Sequence, residues 1–204
     1  MTPRPGVPSG SGATPPRVGA LILAAGEGRR MGRPKALLPL EGRTFLEVLL
    51  ERFLLAGAAP VLVVLGSAAS EIRSRARLGS ARVIVNPEPS RGQLSSIHCG
   101  LDVLVPGEVD ALFIAPVDTP RVRVETLVRM RESLPGRPLV VPACRGRRGH
   151  PALFSASLFP ALRAAPLDRG ARAIVHATRD RLEMETDDSA VLEDFDRPED
   201  LEAL

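Results

Sequence analysis

Hydrophobic residues along this chain follow two alternating patterns: short unbroken apolar runs, and longer stretches in which apolar positions recur every three or four residues. Val18–Ala24 (VGALILA), Val61–Leu65 (VLVVL) and Ala111–Ala115 (ALFIA) are unbroken runs. They lack the in–out alternation of a half-exposed strand and predict strands buried on both faces. Arg82–Val85 and Leu139–Val141 predict two more strands. Thr44-Phe-Leu-Glu47 is a capping-box signature that opens a helix ending near Gly57. Further helices are predicted from near Ser67, over roughly Ser95–Leu104, and over Val124–Leu134. Strands and helices joined by short connections predict an α/β fold of three α/β/α layers, with a mostly parallel, Rossmann-like sheet. Beyond Pro142 the rhythm breaks. Arg145–Gly149 predicts a turn or hairpin, Pro160–Ala164 and Ala171–Ala177 short helices, and Val191–Leu204 a short strand and a terminal helix.

The 204 residues, 44% of them hydrophobic, suffice for one domain, placed at residues 18–204, and no internal repeat is visible. Residues 1–17 are rich in Pro, Gly and Ser and predict a disordered tail. That tail has no apolar core of a secretory signal, and no apolar run approaches the ~20 residues of a membrane span, so a cytoplasmic, membrane-free protein is expected. The formal charge is +3, with no Trp or Tyr and six Phe. The arginines are scattered and stacking surfaces are scarce, which argues against nucleic acid as a partner. Cys99 and Cys144 form neither a metal-ligand spacing nor a disulfide framework. Of 27 basic residues a single one is lysine, Lys35.

Ligands of open α/β sheets bind beyond the carboxyl ends of the strands, which directs attention to the loops after Ala24, Val85, Ala115 and Val141. The first reads Leu23-Ala-Ala-Gly-Glu-Gly-Arg-Arg-Met-Gly-Arg-Pro-Lys35. Small residues at Ala24, Ala25, Gly26 and Gly28 let backbone N–H groups approach an anion, and Arg29, Arg30, Arg33 and Lys35 add positive charge. A P-loop needs Gly-Lys-Ser/Thr, whereas Pro34 precedes Lys35 and Ala36 follows it. The dinucleotide fingerprint fails on glycine spacing and on the missing acidic residue after the second strand. In the second loop, Ser95 and Ser96 are suited to cap a helix, with Ser90-x-x-Gln93 as a rival capping box. A helix start there would also aim N–H groups, with Gly92, at an anion. In the third, Asp118 either caps a helix or supplies the one or two carboxylates that Mg²⁺ favours.

The stretch LAAGEGRRMGRPKALLPLEGRTFLE resembles the opening of the molybdenum cofactor cytidylyltransferase and guanylyltransferase group, and the likeness extends from Val18 to Leu204. It implies a fold of the nucleotide-diphospho-sugar transferase type and a Mg²⁺-dependent nucleotidyltransferase that releases pyrophosphate. In such enzymes the backbone of Leu23, Ala24, Ala25, Gly26 and Gly28 holds the nucleotide, while Arg30 and Lys35 neutralise its phosphates. Asn86 to Ser96 resembles the N-x-x-x-x-x-G-x-x-S-S segment of the cytidylyltransferase branch, which implies that Gly92, Ser95 and Ser96 lie beside base and ribose. The resemblance implies a metal site of Asp118 and Asp196, the latter from the ending Asp194-Phe-Asp196-Arg-Pro-Glu-Asp-Leu, with Asp194 as its alternative. RGHPxLF, containing Gly149, His150 and Phe154, resembles the segment that closes over the second substrate. Leu167-Asp168-Arg-Gly-Ala-Arg172 resembles the family's G-D-x-G-A-R, which implies that Arg172 binds acceptor phosphate, with Asp168 as a helix cap. Asp118-Thr-Pro-Arg departs from the D-x-x-R-P of the methylerythritol phosphate relatives. Ala25, where the guanylyltransferase branch tends to have Gly, favours CTP. The acceptor implied is molybdopterin, with docking to a molybdoenzyme or its chaperone. A sugar 1-phosphate acceptor and a non-catalytic cofactor-binding chaperone are the alternatives.

Overall fold

The structure, a computed structural model, describes residues 15–26, 28, 31–167, 170–196 and 198–201. Its strands are β1 (Val18–Ala24), β2 (Pro39–Leu40), β3 (Arg43–Thr44), β4 (Val61–Leu65), β5 (Arg82–Val85), β6 (Ala111–Pro116), β7 (Leu139–Cys144), β8 (Arg147–Arg148), β9 (Ala152–Ser155) and β10 (Leu182–Glu185). Its helices are α1 (Phe45–Leu55), α2 (Ala69–Arg75), α3 (Gln93–Asp102), α4 (Val124–Glu132), α5 (Phe159–Ala164) and α6 (Gly170–Ala177). The main sheet has the order β10-β7-β9-β6-β1-β4-β5, with β8 paired to β7. β1 lies parallel between β4 and β6, Ala20 standing opposite both Val61 and Phe113. β9 runs antiparallel between β6 and β7, so the sheet is mostly but not wholly parallel.

Alternation along the buried strands divides the core into two layers. Ile22 and Ala24, with Val63, Leu65, Phe113 and Ala115, pack against Leu49 and Phe53 of α1, Ile72 of α2 and Met130 of α4. Leu21 and Leu23, with Leu62, Val64, Leu112 and Ile114, meet Leu94, Ile97 and Leu101 of α3 and Leu162 of α5. Each fully buried Leu, Ile or Phe contributes about 1.5–3 kcal/mol. The sheet is apolar on both faces because both are covered. The parallel strands β1, β4 and β6 therefore deliver their following loops to one edge of the sheet.

Where Thr44 opens α1, its hydroxyl accepts the Glu47 N–H at 3.2 Å and its own N–H donates to Glu47 Oε2 at 2.7 Å, the expected capping box. Other expectations need correction. α3 starts at Gln93 with Gly92 as its N-cap, and that cap makes no side-chain bond, so neither serine caps the helix and the Ser90–Gln93 box does not form. Val191–Leu204 contains no strand or α-helix among its described residues. Two 3-10 turns, Ser189–Leu192 and Pro198–Leu201, take their place, the first capped by the Asp188 carboxylate accepting the Ala190 N–H. β9 and β10 were not expected. Four residues are too few to show a period, and the backbone groups of β9 are satisfied by β6 and β7, which are distant in sequence. Arg30, Asp168 and residues 1–14 of the expected tail lie outside the described residues. Among the described residues no helix is long and apolar enough to cross a membrane.

Candidate functional site

At the carboxyl ends of β1 and β6 lies a pocket of about 250 Å³. Leu23, Ala25, Gly26, Gly28 and Lys35 line one side of it, Gly92, Gln93 and Ser96 another, and Asp118 closes it. Ala24 is instead buried in the core toward α1. Gly28 holds the loop's curvature: it has φ +59°, and a Cβ there would lie 2.1 Å from the Arg33 carbonyl oxygen. No other residue type fits both that conformation and that space.

Opposite the loop, the start of α3 is organised by Asn86. Asn86 is 3% exposed and sits just past β5. Its Nδ2 donates to Ser95 Oγ at 2.8 Å and to Ser96 Oγ at 3.0 Å, while its Oδ1 accepts the Glu88 N–H at 2.9 Å. The Glu88 bond fixes which end of the amide faces the serines. Ser95 is thus a buried structural hydroxyl, also bonded to the Gly92 carbonyl at 2.7 Å, and it does not line the pocket; Ser96 does. A polar side chain directly after a strand, at the edge where ligands bind, was the available signal for Asn86.

The acidic residues converge on the same place. Asp118, Asp194 and Asp196 each offer a carboxylate oxygen within 4.8 Å of the others, so both C-terminal aspartates join the cluster. The Asp-Phe-Asp alternation explains the arrangement. Phe195 is 5% exposed and meets Phe45 edge-on at 5.2 Å between ring centroids, in a small cluster with Met31 and Leu38. Its flanking carboxylates consequently face away from that cluster, and Phe195 is the apolar anchor of the acidic arm. Lys35 Nζ donates to Asp118 at 2.6 Å and to Asp196 at 2.5 Å, and stands 3.6 Å from Asp194. Burial disfavours the ammonium, but its hydrogen bonds to Asp118 and Asp196 outweigh that and raise its pKa above the ordinary 10.5. Asp194, though largely exposed, is raised from its ordinary value, first by partial loss of solvent and then by the charge of Asp118. Among the described residues, one ammonium faces these three carboxylates. Oxygen donors only, from several carboxylates, are the chemistry Mg²⁺ or Mn²⁺ accepts.

A larger pocket of about 640 Å³ adjoins the first, sharing Gln93 and Pro116 with it. Ile114, Val141, Phe154 and Val175 give it apolar walls, and Arg147, Arg148 and Arg172 supply charge, with Gly149 and His150 at its edge. Arg148 is paired with Glu183 at 2.9 Å. Arg172 bonds His176 on the next turn of α6 at 3.3 Å, which leaves its guanidinium charge uncompensated by that partner. His150 is exposed at the rim of the pocket, where the loss of solvent on its protein-facing side lowers its imidazole pKa from the ordinary 6.5, against the opposing pull of Asp118. At neutral pH it is an uncharged donor or acceptor, so cationic binding in this pocket falls to the arginines.

Residues 20–182 match the MobA-like NTP transferase domain family. The chain is 38% identical over 174 residues to the nicotine blue oxidoreductase of Paenarthrobacter nicotinovorans, covering 78% of this chain and 82% of that protein. It is 25% identical over 185 residues to the molybdenum cofactor cytidylyltransferase of Escherichia coli, covering 90% and 93%. It is 36% identical over 137 residues to the molybdenum cofactor guanylyltransferase of Cereibacter sphaeroides, covering 67% of each. Among solved structures, Rv0371c of Mycobacterium tuberculosis superposes with a TM-score of 0.82 at 29% identity, covering 93% of this chain and 98% of that one. Its complex with manganese superposes at 0.79 and 28%, covering 92% and 97%. Fold, glycine-rich loop and a family match spanning most of the chain agree, and this chain belongs to the MobA-like NTP transferase family.

Proposed function

We propose that the protein transfers a nucleotide, with CTP favoured, from its triphosphate to the phosphate of molybdenum cofactor. The observation that carries this reading is the adjoining pair of pockets, with Asp118 lining the smaller one and Gln93 and Pro116 common to both. The smaller pocket has the glycine-rich backbone, lysine and helix start suited to a triphosphate. The larger has apolar walls for a heterocycle and arginines for its phosphate. An acceptor phosphate oxygen attacks the α-phosphorus, the bond from that phosphorus to the bridging oxygen breaks, and pyrophosphate leaves. Protein residues contribute positioning and charge neutralisation, as is general for phosphoryl transfer. Lys35 meets the charge that develops on the leaving pyrophosphate. Asp118 and Asp196, joined by Asp194, would hold Mg²⁺, which supplies charge stabilisation at the phosphates. Arg172 and the Gly149–His150 edge hold the acceptor. The match to the cytidylyltransferase and Ala25 support CTP, while the guanylyltransferase match keeps GTP as the comparison nucleotide.

The test is incubation with each nucleoside triphosphate, Mg²⁺ and molybdenum cofactor, followed by the mass of the product and pyrophosphate release. A cytidylylated cofactor is the expected product. Transfer to a sugar 1-phosphate alone would move the acceptor assignment, and absence of pyrophosphate with every acceptor would remove the transferase reading. The likeness to the nicotine blue oxidoreductase favours a second reading, in which the larger pocket holds an apolar heterocycle for a redox step. Reduction of such a heterocycle by an added two-electron donor, without pyrophosphate release, would favour it.

Gly28 offers a local check. The left-handed conformation alone costs a residue with a side chain about 1–2 kcal/mol. The contact with the Arg33 carbonyl adds to that. Gly28→Ala is therefore expected to weaken CTP binding by about tenfold or more, read by calorimetric titration, and to lower the melting temperature by a few degrees.

A further inference from the structure

We propose that Gly149 is a positioning residue for the carboxylates of Asp194 and Asp196, acting through its contact with the backbone of Val191. The proposal rests on reading Asp118, Asp194 and Asp196 as a metal site. A Cβ on Gly149 would lie 2.1 Å from the Val191 carbonyl oxygen and 2.6 Å from its carbonyl carbon. Gly149 has no left-handed φ, so the requirement for glycine there is one of space. The neighbouring bonds show what the close approach achieves. The Gly149 N–H donates to the Pro142 carbonyl at 2.8 Å, and the His150 N–H donates to the Val191 carbonyl at 2.7 Å. The segment is therefore tied to β7 on one side and to the carboxylate arm on the other.

A second tie holds the root of the same arm. Asp188 is 3% exposed and accepts the Arg123 N–H at 2.8 Å, the Thr126 hydroxyl at 2.8 Å and the Ala190 N–H at 3.2 Å. Its charge is met by the Arg123 guanidinium at 3.4 Å. This buried carboxylate has no part in the chemistry proposed above. It joins the 189–192 turn to the start of α4, and that turn ends two residues before Asp194. The arm thus enters the site in a direction set by α4 and by the edge of the larger pocket. A methyl group at position 149 must displace the Val191 backbone by about 1 Å, a misplacement on the scale that costs a reacting site about a hundredfold.

The test measures Mn²⁺ dissociation constants by the paramagnetic resonance signal of free Mn²⁺, on the full chain without nucleotide. Gly149→Ala is expected to raise the constant at least about fivefold, and Thr126→Val, whose side chain lines neither pocket, to raise it by a smaller factor. In turnover, the KM for the metal should rise more than the KM for the nucleotide, a split that general loosening of the fold does not produce. A folded Gly149→Ala protein that binds Mn²⁺ as tightly as wild type overturns the proposal. Should that variant not fold, Thr126→Val decides on the same criterion. Failure of the wild type to bind Mn²⁺ sinks the metal-site reading itself, and the proposal with it.

Discussion

Asp118→Ala is expected to lower the rate of nucleotide transfer at least about a thousandfold, a loss of about 4 kcal/mol in transition-state stabilisation. The melting temperature should stay at or slightly above the wild-type value. Asp118 is the residue in which the candidate metal cluster and the triphosphate pocket coincide: it lines the pocket, and its carboxylate lies within 4.8 Å of those of Asp194 and Asp196. It lies two residues past β6, whose residues Ala111–Ala115 are buried, so its backbone is anchored on the covered centre of the sheet. Removing the side chain deletes one of three like charges and leaves the Lys35–Asp196 contact at 2.5 Å in place. The fold therefore loses little, because the repulsion removed offsets the hydrogen bond lost. Asp118→Asn should be as inactive as the alanine variant, since it keeps shape and loses charge. Steady-state pyrophosphate release and thermal melts on the same preparations check both parts. A folded Asp118→Ala enzyme within tenfold of wild type would sink the assigned role.

Much of this site was legible in the sequence because its parts follow long, unambiguous elements. Val18–Ala24 and Ala111–Ala115 are apolar at every position, so the loops after them, with Lys35 and Asp118, could be placed at the carboxyl edge of a sheet. The capping box at Thr44 was legible for a local reason, since its bonds lie within four residues. What escaped depends on partners distant in the chain. β9 is a strand because β6 and β7 supply its hydrogen bonds, and Leu182–Glu185 becomes β10 only beside β7. Val191 and Leu192 promised a strand by composition, but the Asp188 carboxylate turns that segment into a 3-10 cap. Ser95 and Ser96 promised a helix cap, and Asn86 claims both hydroxyls instead. In each case a propensity that was correct locally was overruled by a longer-range hydrogen bond or contact.

Lys35→Ala is expected to reduce turnover by about a hundredfold or more, the usual scale for deleting one positioned donor to developing charge. Lys35→Arg should not restore it. The ammonium fits as a point charge 2.6 Å from Asp118 and 2.5 Å from Asp196, and a planar guanidinium on a longer stem cannot make both contacts from the same backbone position. The two variants should part company on stability without metal. Alanine leaves three carboxylates with no lysine among them and costs about 1–2 kcal/mol, between the values for exposed and buried ion pairs. Arginine keeps the charge and most of that stability. The sign of the pH dependence follows from the raised pKa of Lys35. A cation held above its unfolded value of ~10.4 contributes fully below that value and loses its contribution as pH rises through the folded one. Wild type should therefore exceed Lys35→Ala by a constant margin from pH 7 to 9, and the margin should close above about pH 10.5, in denaturant melts across that range. A margin that instead grew above pH 10 would mean that the lysine acts there through its apolar stem and not through its charge. As the chain's one lysine, it also allows a direct check of the nucleotide pocket. Apart from the amino terminus, a single amine should be acetylated in the free protein, and a bound triphosphate should slow that reaction.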